Sequence, residues 1–278
     1  MSRVVVAVDG SEAARLALEW AADEAERRGA PLKVVHADRW EPYAFGDDID
    51  VVTGAGEAAR ELVAEEARRA LARCPQLEVS TEAMGEETVT ALLREGAAAD
   101  LLVLGSRGRG GFEGMLLGSV SLRVVGRADF PVVVVRGDGI APPRGRVVLG
   151  VGAHYPPGRA ADFALDQAIR RKAVLDVVYA WQPDLDLSGL SVVMDSGTAQ
   201  ERAQVLLAAV TAPLEQDATG IRVRPCPVPG APAPALLHAA ADADLVVLGS
   251  RRRHGQLGPV THAMLHHSPC PVAIVPVT

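Results

Sequence analysis

The residues best suited to chemistry in this chain lie between Gly105 and Ser121, G-S-R-G-R-G-G-F-E-G-M-L-L-G-S-V-S. Gly105, Gly108, Gly110, Gly111, Gly114 and Gly118 remove side chains where a backbone must bend or come close to another group. Ser119 and Ser121 stand where a helix would begin. A helix N-terminus offers N–H groups without intrahelical partners and the positive end of the peptide dipole, so it attracts phosphate. Arg107 and Arg109 add positive charge. This is not a Walker A loop, which needs G-x4-G-K-[ST]. The only lysines, Lys33 and Lys172, are remote from it in sequence. No positioned base or paired acids of the kind phosphoryl transfer requires accompany the loop.

The flanking segments say how such a loop is held. The apolar run Leu101–Leu104 precedes it and Leu122–Arg127 can be helical, giving strand, glycine loop, helix. Upstream, Arg3–Val8 reads as a buried parallel strand that stops at Asp9-Gly10-Ser11. Ser11 can cap a helix whose apolar face includes Ala13, Leu16, Ala17, Trp20 and Ala21, and Gly29 ends it. Leu32–Ala37 is a second strand. The acidic, aperiodic stretch Glu41–Gly56 reads as a loop. Glu57–Arg73 is an amphipathic helix that turns Ala59, Val63, Ala67, Ala70 and Leu71 inward. Leu77–Glu82, Thr88–Ala98, Asp100–Leu104 and Pro131–Val135 follow as strand, helix, strand and strand.

Alternating strands and helices imply right-handed crossovers and a parallel sheet. In the order 3-2-1-4-5 the winding reverses between the first and fourth strands, and ligands bind at such a reversal. Those strands end at Asp9 and Gly105, so a carboxylate and the glycine loop would share one crevice. The carboxylate can accept hydrogen bonds from an amino group or from ribose hydroxyls.

The pattern then restarts. Gly137–Gly145 is a glycine- and proline-containing linker. R-V-V-V-A-V at Arg3–Val8 returns as R-V-V-L-G-V at Arg146–Val151, L-L-V-L-G-S-R at Leu101–Arg107 as L-V-V-L-G-S-R at Leu245–Arg251, and P-V-V-V-V at Pro131–Val135 as P-V-A-I-V at Pro271–Val275. The chain is a tandem repeat, with expected domains at 1–136 and 146–278. The fold class expected is α/β, two tandem doubly wound parallel five-stranded sheets. The second copy has Gly152 where the first has Asp9, Arg252 in place of Gly108, a loop four residues shorter, and Pro259 in place of Ser119. Proline has no N–H for a phosphate, although it suits a first helical turn. The second site is therefore expected to be degenerate. Arg251, Arg252 and Arg253 read as solvated surface charge, and Pro225–Pro234 as a stiff stretch before a helix.

Bulk properties narrow the function. A 278-residue chain with 49% hydrophobic and only 4% aromatic residues packs mainly with alanine, valine and leucine. A net charge of −7 argues against a general nucleic-acid binder, which carries a basic surface. Three scattered cysteines, Cys74, Cys226 and Cys270, fit a reducing compartment. With no signal peptide and no run near the ~18 apolar residues of a membrane helix, a cytoplasmic protein with no membrane partner is expected. His262 and His266 share a helical face at a spacing that can hold a metal. Without H-E-x-x-H they read as ordinary helix residues, and no metal is expected.

The spacing Gly105-x2-Gly108-x9-Gly118-Ser119 matches G-x2-G-x9-G-[ST], and on it the chain resembles the ATP-binding branch of the universal stress protein family, once per half over nearly the full length. The resemblance implies a fold like the adenine nucleotide alpha hydrolases and ATP, with or without Mg2+, as the ligand. It implies Asp9 on the adenine side, Ala7 and Val8 along the same wall, and backbone at Ala37 near the base. It implies Gly105, Arg107, Gly108, Arg109, Gly118, Ser119, Val120 and Ser121 around ribose and phosphates. Pairing through the last strand of each domain, within one chain or in a homodimer, is implied too. The function expected is a nucleotide-dependent stress-response protein without catalytic residues, its downstream partner unspecified. A slow ATPase in the same crevice and a nucleotide-free scaffold are the alternatives.

Overall fold

The computed structural model describes residues 3–39, 49–108, 117–136, 142–152, 158–182, 184–186, 193–250 and 257–277. The chain divides into two compact units, one from Met1–Ala141 and the other chiefly from Pro142 onward.

In the first unit the elements run β1 (Val4–Ala7), α1 (Glu12–Arg28), β2 (Leu32–Ala37), α2 (Ile49–Arg73), β3 (Val79–Met84), α3 (Thr88–Ala97), β4 (Leu101–Gly105), α4 (Ser119–Arg127) and β5 (Val132–Val135). Its strands lie in the order β3-β2-β1-β4-β5, all parallel, as the alternating pattern requires. Val4, Val5, Val6, Leu101, Leu102 and Val103 have no exposed surface. These central strands are covered on both faces, which is why they read as unbroken apolar runs. Trp20 is in the core. Gly29 caps α1 at φ 59°, where a side chain would be strained.

The second unit contains β6 (Arg146–Val151), α5 (Gly158–Arg171), β7 (Val174–Trp181), β8 (Asp184–Asp186), β9 (Val193–Asp195), α6 (Ser196–Asp217), β10 (Val223–Pro229), α7 (Pro232–Ala240), β11 (Leu245–Ser250), α8 (Pro259–His267) and β12 (Val272–Pro276). Its parallel order is β10-β7-β6-β11-β12, the same winding as in the first. The β8–β9 hairpin is an antiparallel addition.

Four local expectations change. Residues 49–56 are helical rather than loop, while 40–48 lie outside the described residues. Gly56, Ala59, Val63, Glu66 and Ala70 are buried at spacings of three and four, so the inward stripe reaches back to Gly56 and carries the helix through both glycines. Leu71, expected inward, is 40% exposed, and Glu66 takes a place in the stripe instead. The third strand starts at Val79 rather than Leu77, because Leu77 N–H still closes a turn onto the Cys74 carbonyl. Pro225, Pro227 and Pro229 belong to strand β10, paired only with β7 among the described residues. An outer strand tolerates prolines that an inner one would not.

The repeats also invert a buried charge. Lys33 on β2 lies 2.5 Å from Glu82 and 2.6 Å from Glu95. At the matching place on β7, Asp176 has no exposed surface, and Arg146 and Arg224 bond to it at 2.5 and 2.6 Å.

Candidate functional site

Asp9 follows β1 directly. Its Oδ1 accepts from Ser11 N–H at 3.0 Å, a local turn that Gly10 permits at φ 78°. Ser11 caps α1 by accepting from Ala14 N–H at 3.2 Å, and its hydroxyl donates to the Arg107 carbonyl at 3.4 Å. Asp9 is therefore not the helix cap; it supports the residue that is. Its other oxygen, Oδ2, lies 2.5 Å from the point a β-carbon on Gly108 would occupy. Glycine at 108 is what lets the loop pass beside the carboxylate.

The loop is anchored at both described ends. Ser106 N–H donates to Val135 O at 3.1 Å, and Gly118 N–H to Ser106 O at 2.7 Å. Ser121 is buried and its hydroxyl donates to Gly105 O at 2.8 Å, tying the first turn of α4 to the end of β4. A β-carbon on Gly105 would lie 2.8 Å from the Ala13 backbone, so that glycine serves the packing of α1 on β4. Gly118 differs, because a β-carbon there would meet Ser106 O at an ordinary 3.5 Å. Helix α4 has no side-chain cap, whereas Ser11 caps α1 and Glu87 caps α3. Its first-turn N–H groups and the exposed Ser119 face the crevice uncapped.

A cavity of about 390 Å³ opens there. Of the sequence-derived site residues, Ala7, Val8, Asp9, Ala37, Gly105, Arg107, Gly108, Gly118, Ser119, Val120 and Ser121 all line it. Arg109 lies outside the described residues, as do Gly110, Gly111 and Gly114.

Sequence reasoning missed His36, Asp38 and Thr88 in the same wall. His36 Nδ1 is 2.7 Å from the Val8 carbonyl. A carbonyl only accepts, so Nδ1 carries a proton, and in the neutral ring Nε2 is left as an acceptor. Thr88 donates to the Ala37 carbonyl at 3.0 Å, using one of the two lone pairs of a group expected near the base. His36 could have been found from its place beside Ala37 at the end of β2. Thr88 could not, because it reaches the crevice through the α3 N-terminus. Beside it, the Glu87 carboxyl is pulled down to about 2, first by the Thr90 hydroxyl, then by Thr90 N–H, with Arg123 of α4 adding to this. The Arg123–Glu87 ion pair at 3.0 Å ties the helices forming two walls.

The second unit offers a different surface. Gly150 stands where Ala7 does, and a β-carbon on it would lie 2.6 Å from Leu248 Cδ2 and 3.0 Å from Leu236 Cδ2. Leu248 and Leu236, which match the cavity-lining Leu104 and Leu92 of the first unit, pack against Gly150, and Gly152 supplies no carboxylate. Helix α8 begins at Pro259. The His262 and His266 rings stack at 4.2 Å between centroids, and among the described residues no three His, Cys, Asp or Glu side chains gather as a metal site. Residues 251–256, with Arg251, Arg252 and Arg253, lie outside the described residues.

Two parallel doubly wound units, the first with its crevice between the carboxyl ends of β1 and β4, define an α/β protein of the adenine nucleotide alpha hydrolase type. The profile of the Universal stress protein family matches residues 1–136 and again 143–276. A universal stress protein of Mycobacterium tuberculosis is 33% identical over 288 residues, spanning 98% of this chain and 96% of that one. One from Mycolicibacterium smegmatis is 30% identical over 285 residues, with 98% and 96% covered. The chain belongs to the universal stress protein family. The crystal structure of a universal stress protein from Archaeoglobus fulgidus has the same fold, with a TM-score of 0.74 at 21% identity over 99% of this chain and 98% of that one. Among the described residues no helix is long and apolar enough to cross a membrane.

Proposed function

We propose that the first unit binds an adenine nucleotide, with ATP as the physiological ligand, and that occupancy regulates the protein's association in a stress response. The observation that carries this reading is the convergence of Asp9, the bare backbone at Gly108 and the uncapped start of α4 on one cavity. Asp9 Oδ2 and His36 Nε2 accept from an amino group or ribose hydroxyls. The N–H groups of Ser119 and Val120, with Arg107, face phosphate oxygens. Mg2+, when present, comes with the phosphates.

The second unit is structural in this reading. Gly152 supplies no carboxylate and Pro259 removes a donor. Catalysis is not part of the function: the cavity-lining residues include no lysine, and a site that holds ground state and transition state alike accelerates little. The protein acts in the cytoplasm, and its fifth strands, β5 and β12, pair the domains within one chain or join two chains in a homodimer.

The test is to purify the protein, extract bound small molecules and titrate ATP into the emptied chain. Saturable ATP binding with one site per chain, lost in Asp9→Ala and kept in Gly152→Ala, supports the reading. Release of ADP and phosphate at a steady rate would mark an ATPase instead. A chain blind to every adenine nucleotide would mark a scaffold.

A further inference from the structure

A second cavity, of about 260 Å³, lies between α1 and α2 and shares no lining residue with the crevice. Glu66 of α2 lines it and is buried. Among the described residues its Oε2 has no hydrogen-bond partner, and its one ion pair is a loose one, Arg15 Nε to Oε1 at 3.9 Å. Arg15, on the α1 side, is half exposed and makes no closer ion pair among the described residues. The other two guanidiniums of the lining are engaged elsewhere. Arg69 Nε donates to Glu65 at 3.2 Å, and Arg73 donates to Asp23 at 2.5 and 2.9 Å. The buried side chains of Leu18 and Ala70 add apolar wall. The cleft thus sets an under-used carboxylate and an under-used guanidinium beside apolar surface. A buried carboxylate without its full set of hydrogen bonds costs stability and needs a reason.

The repeat shows that the fold does not supply that reason. The buried stripe of α6, Ala203, Leu207, Val210 and Leu214, follows Ala59, Val63, Glu66 and Ala70 of α2 at a constant 144 positions. Val210 therefore holds the place of Glu66. The first helix of each unit ends at a left-handed residue, Gly29 or Lys172, and counting back from these puts Gly158 in the place of Arg15. The carboxylate and its guanidinium are confined to the first unit, and a valine fills the same stripe in the second.

We infer that this cleft binds a free apolar α-amino acid, with its ammonium on Glu66, its carboxylate on Arg15 and its side chain against Leu18 and Ala70. An ammonium has three donors for the open acceptor positions of Glu66, and a carboxylate takes two parallel bonds from a guanidinium fork. The terminal torsion of a glutamate is broad, so either oxygen can turn to the ligand. A simple cation would meet the three arginines and a simple anion the Glu66 carboxylate, so a zwitterion fits where neither does. The volume falls below the ~300–1,000 Å³ typical of sites for drug-sized molecules and suits a smaller one. The site stands apart from the nucleotide reading of the crevice.

The experiment is calorimetric titration at pH 7 of L-leucine and L-alanine into the full-length protein and into Glu66→Val and Arg15→Gln, with melting curves on each. Isocaproate, which lacks the ammonium of leucine, and L-leucinamide, which lacks its carboxylate, are the controls. At least one of the two amino acids is expected to bind saturably with one site per chain, and each control about tenfold more weakly or worse. Each variant should lose about tenfold or more in amino-acid affinity, as for a lost charged hydrogen bond. Glu66→Val, which installs the residue of the second repeat, should melt no lower than the parent, so its loss of binding is not a loss of fold. Arg15→Gln, at an exposed position, carries the test if Glu66→Val does not fold. Failure of both amino acids to bind, a control that binds as well as L-leucine, or unchanged affinity in the variants overturns the site.

Discussion

Asp9 and Gly108, ninety-nine positions apart in the chain, meet so closely that Asp9 Oδ2 lies 2.5 Å from where a β-carbon on Gly108 would stand. The carboxylate and the loop position each other. Ser11 completes the junction, bonded to Asp9 Oδ1 through its N–H and to the Arg107 carbonyl through its hydroxyl.

Gly108→Ala should therefore push the Asp9 carboxylate aside. We expect a fall in adenine nucleotide affinity of about tenfold or more, as for the loss of a charged hydrogen bond worth roughly 1.5–3 kcal/mol. Gly118→Ala has room within the fold, its β-carbon in ordinary contact with Ser106 O at 3.5 Å. Its melting temperature should match the parent, so any lost affinity reports crowding of the ligand. Calorimetry and thermal melting on both variants separate the two effects.

Glu66 is only 2% exposed, with Oε2 buried and unbonded and Arg15 Nε 3.9 Å from Oε1. Burial raises its pKa above the usual carboxylate value, against the opposing charges of Arg69 and Arg15. A raised folded-state pKa means the contribution to stability is present below the unfolded value and lost as pH rises through the folded one. Glu66→Leu should thus stabilise the protein at pH 7, by about 1–3 kcal/mol, with a smaller gain at pH 4. Melting curves at the two pH values check this, and a lower melting temperature at pH 7 would refute it.

Asp176 is the opposite case. Burial pushes its pKa up, but the bonds from Arg224 and Arg146 outweigh this and leave it below the ordinary value. Its contribution is present above the unfolded pKa and lost as pH falls through the depressed one. Asp176→Ala should cost about 3 kcal/mol at pH 7, the low end for breaking a buried ion pair because both arginines are partly exposed. The deficit should shrink on acidification, as read from denaturant midpoints at pH 7 and pH 3.

Gly96 packs tightly against Phe130: a β-carbon there would lie 2.2 Å from both Cε2 and Cζ of the ring. Gly96→Ala should destabilise the first unit by about 1–3 kcal/mol without changing nucleotide affinity, since neither residue lines the cavity. Gly96→Ala with Phe130→Leu should recover part of the loss in the same melting assay.

Much of this fold was legible in the sequence. Short valine- and leucine-rich runs, bounded by turn residues and alternating with helical patterns, read as strands covered on both faces, so Arg3–Val8 and Leu101–Leu104 pointed to a parallel sheet. Their recurrence after Arg146 declared a second one, and the spacing of Gly105, Gly108, Gly118 and Ser119 marked the loop. Such signals survive in one dimension because strand burial and backbone clearance are demanded position by position. The tertiary structure alone decided which groups meet. It assigned Gly105 to the packing of α1, and placed His36 and Thr88 in the crevice wall. It carried α2 through two glycines, made Glu66 part of a buried stripe, and packed Leu236 and Leu248 against Gly150. Each of these depends on a distance between segments far apart in the chain, and periodicity within a segment carries no record of its neighbours.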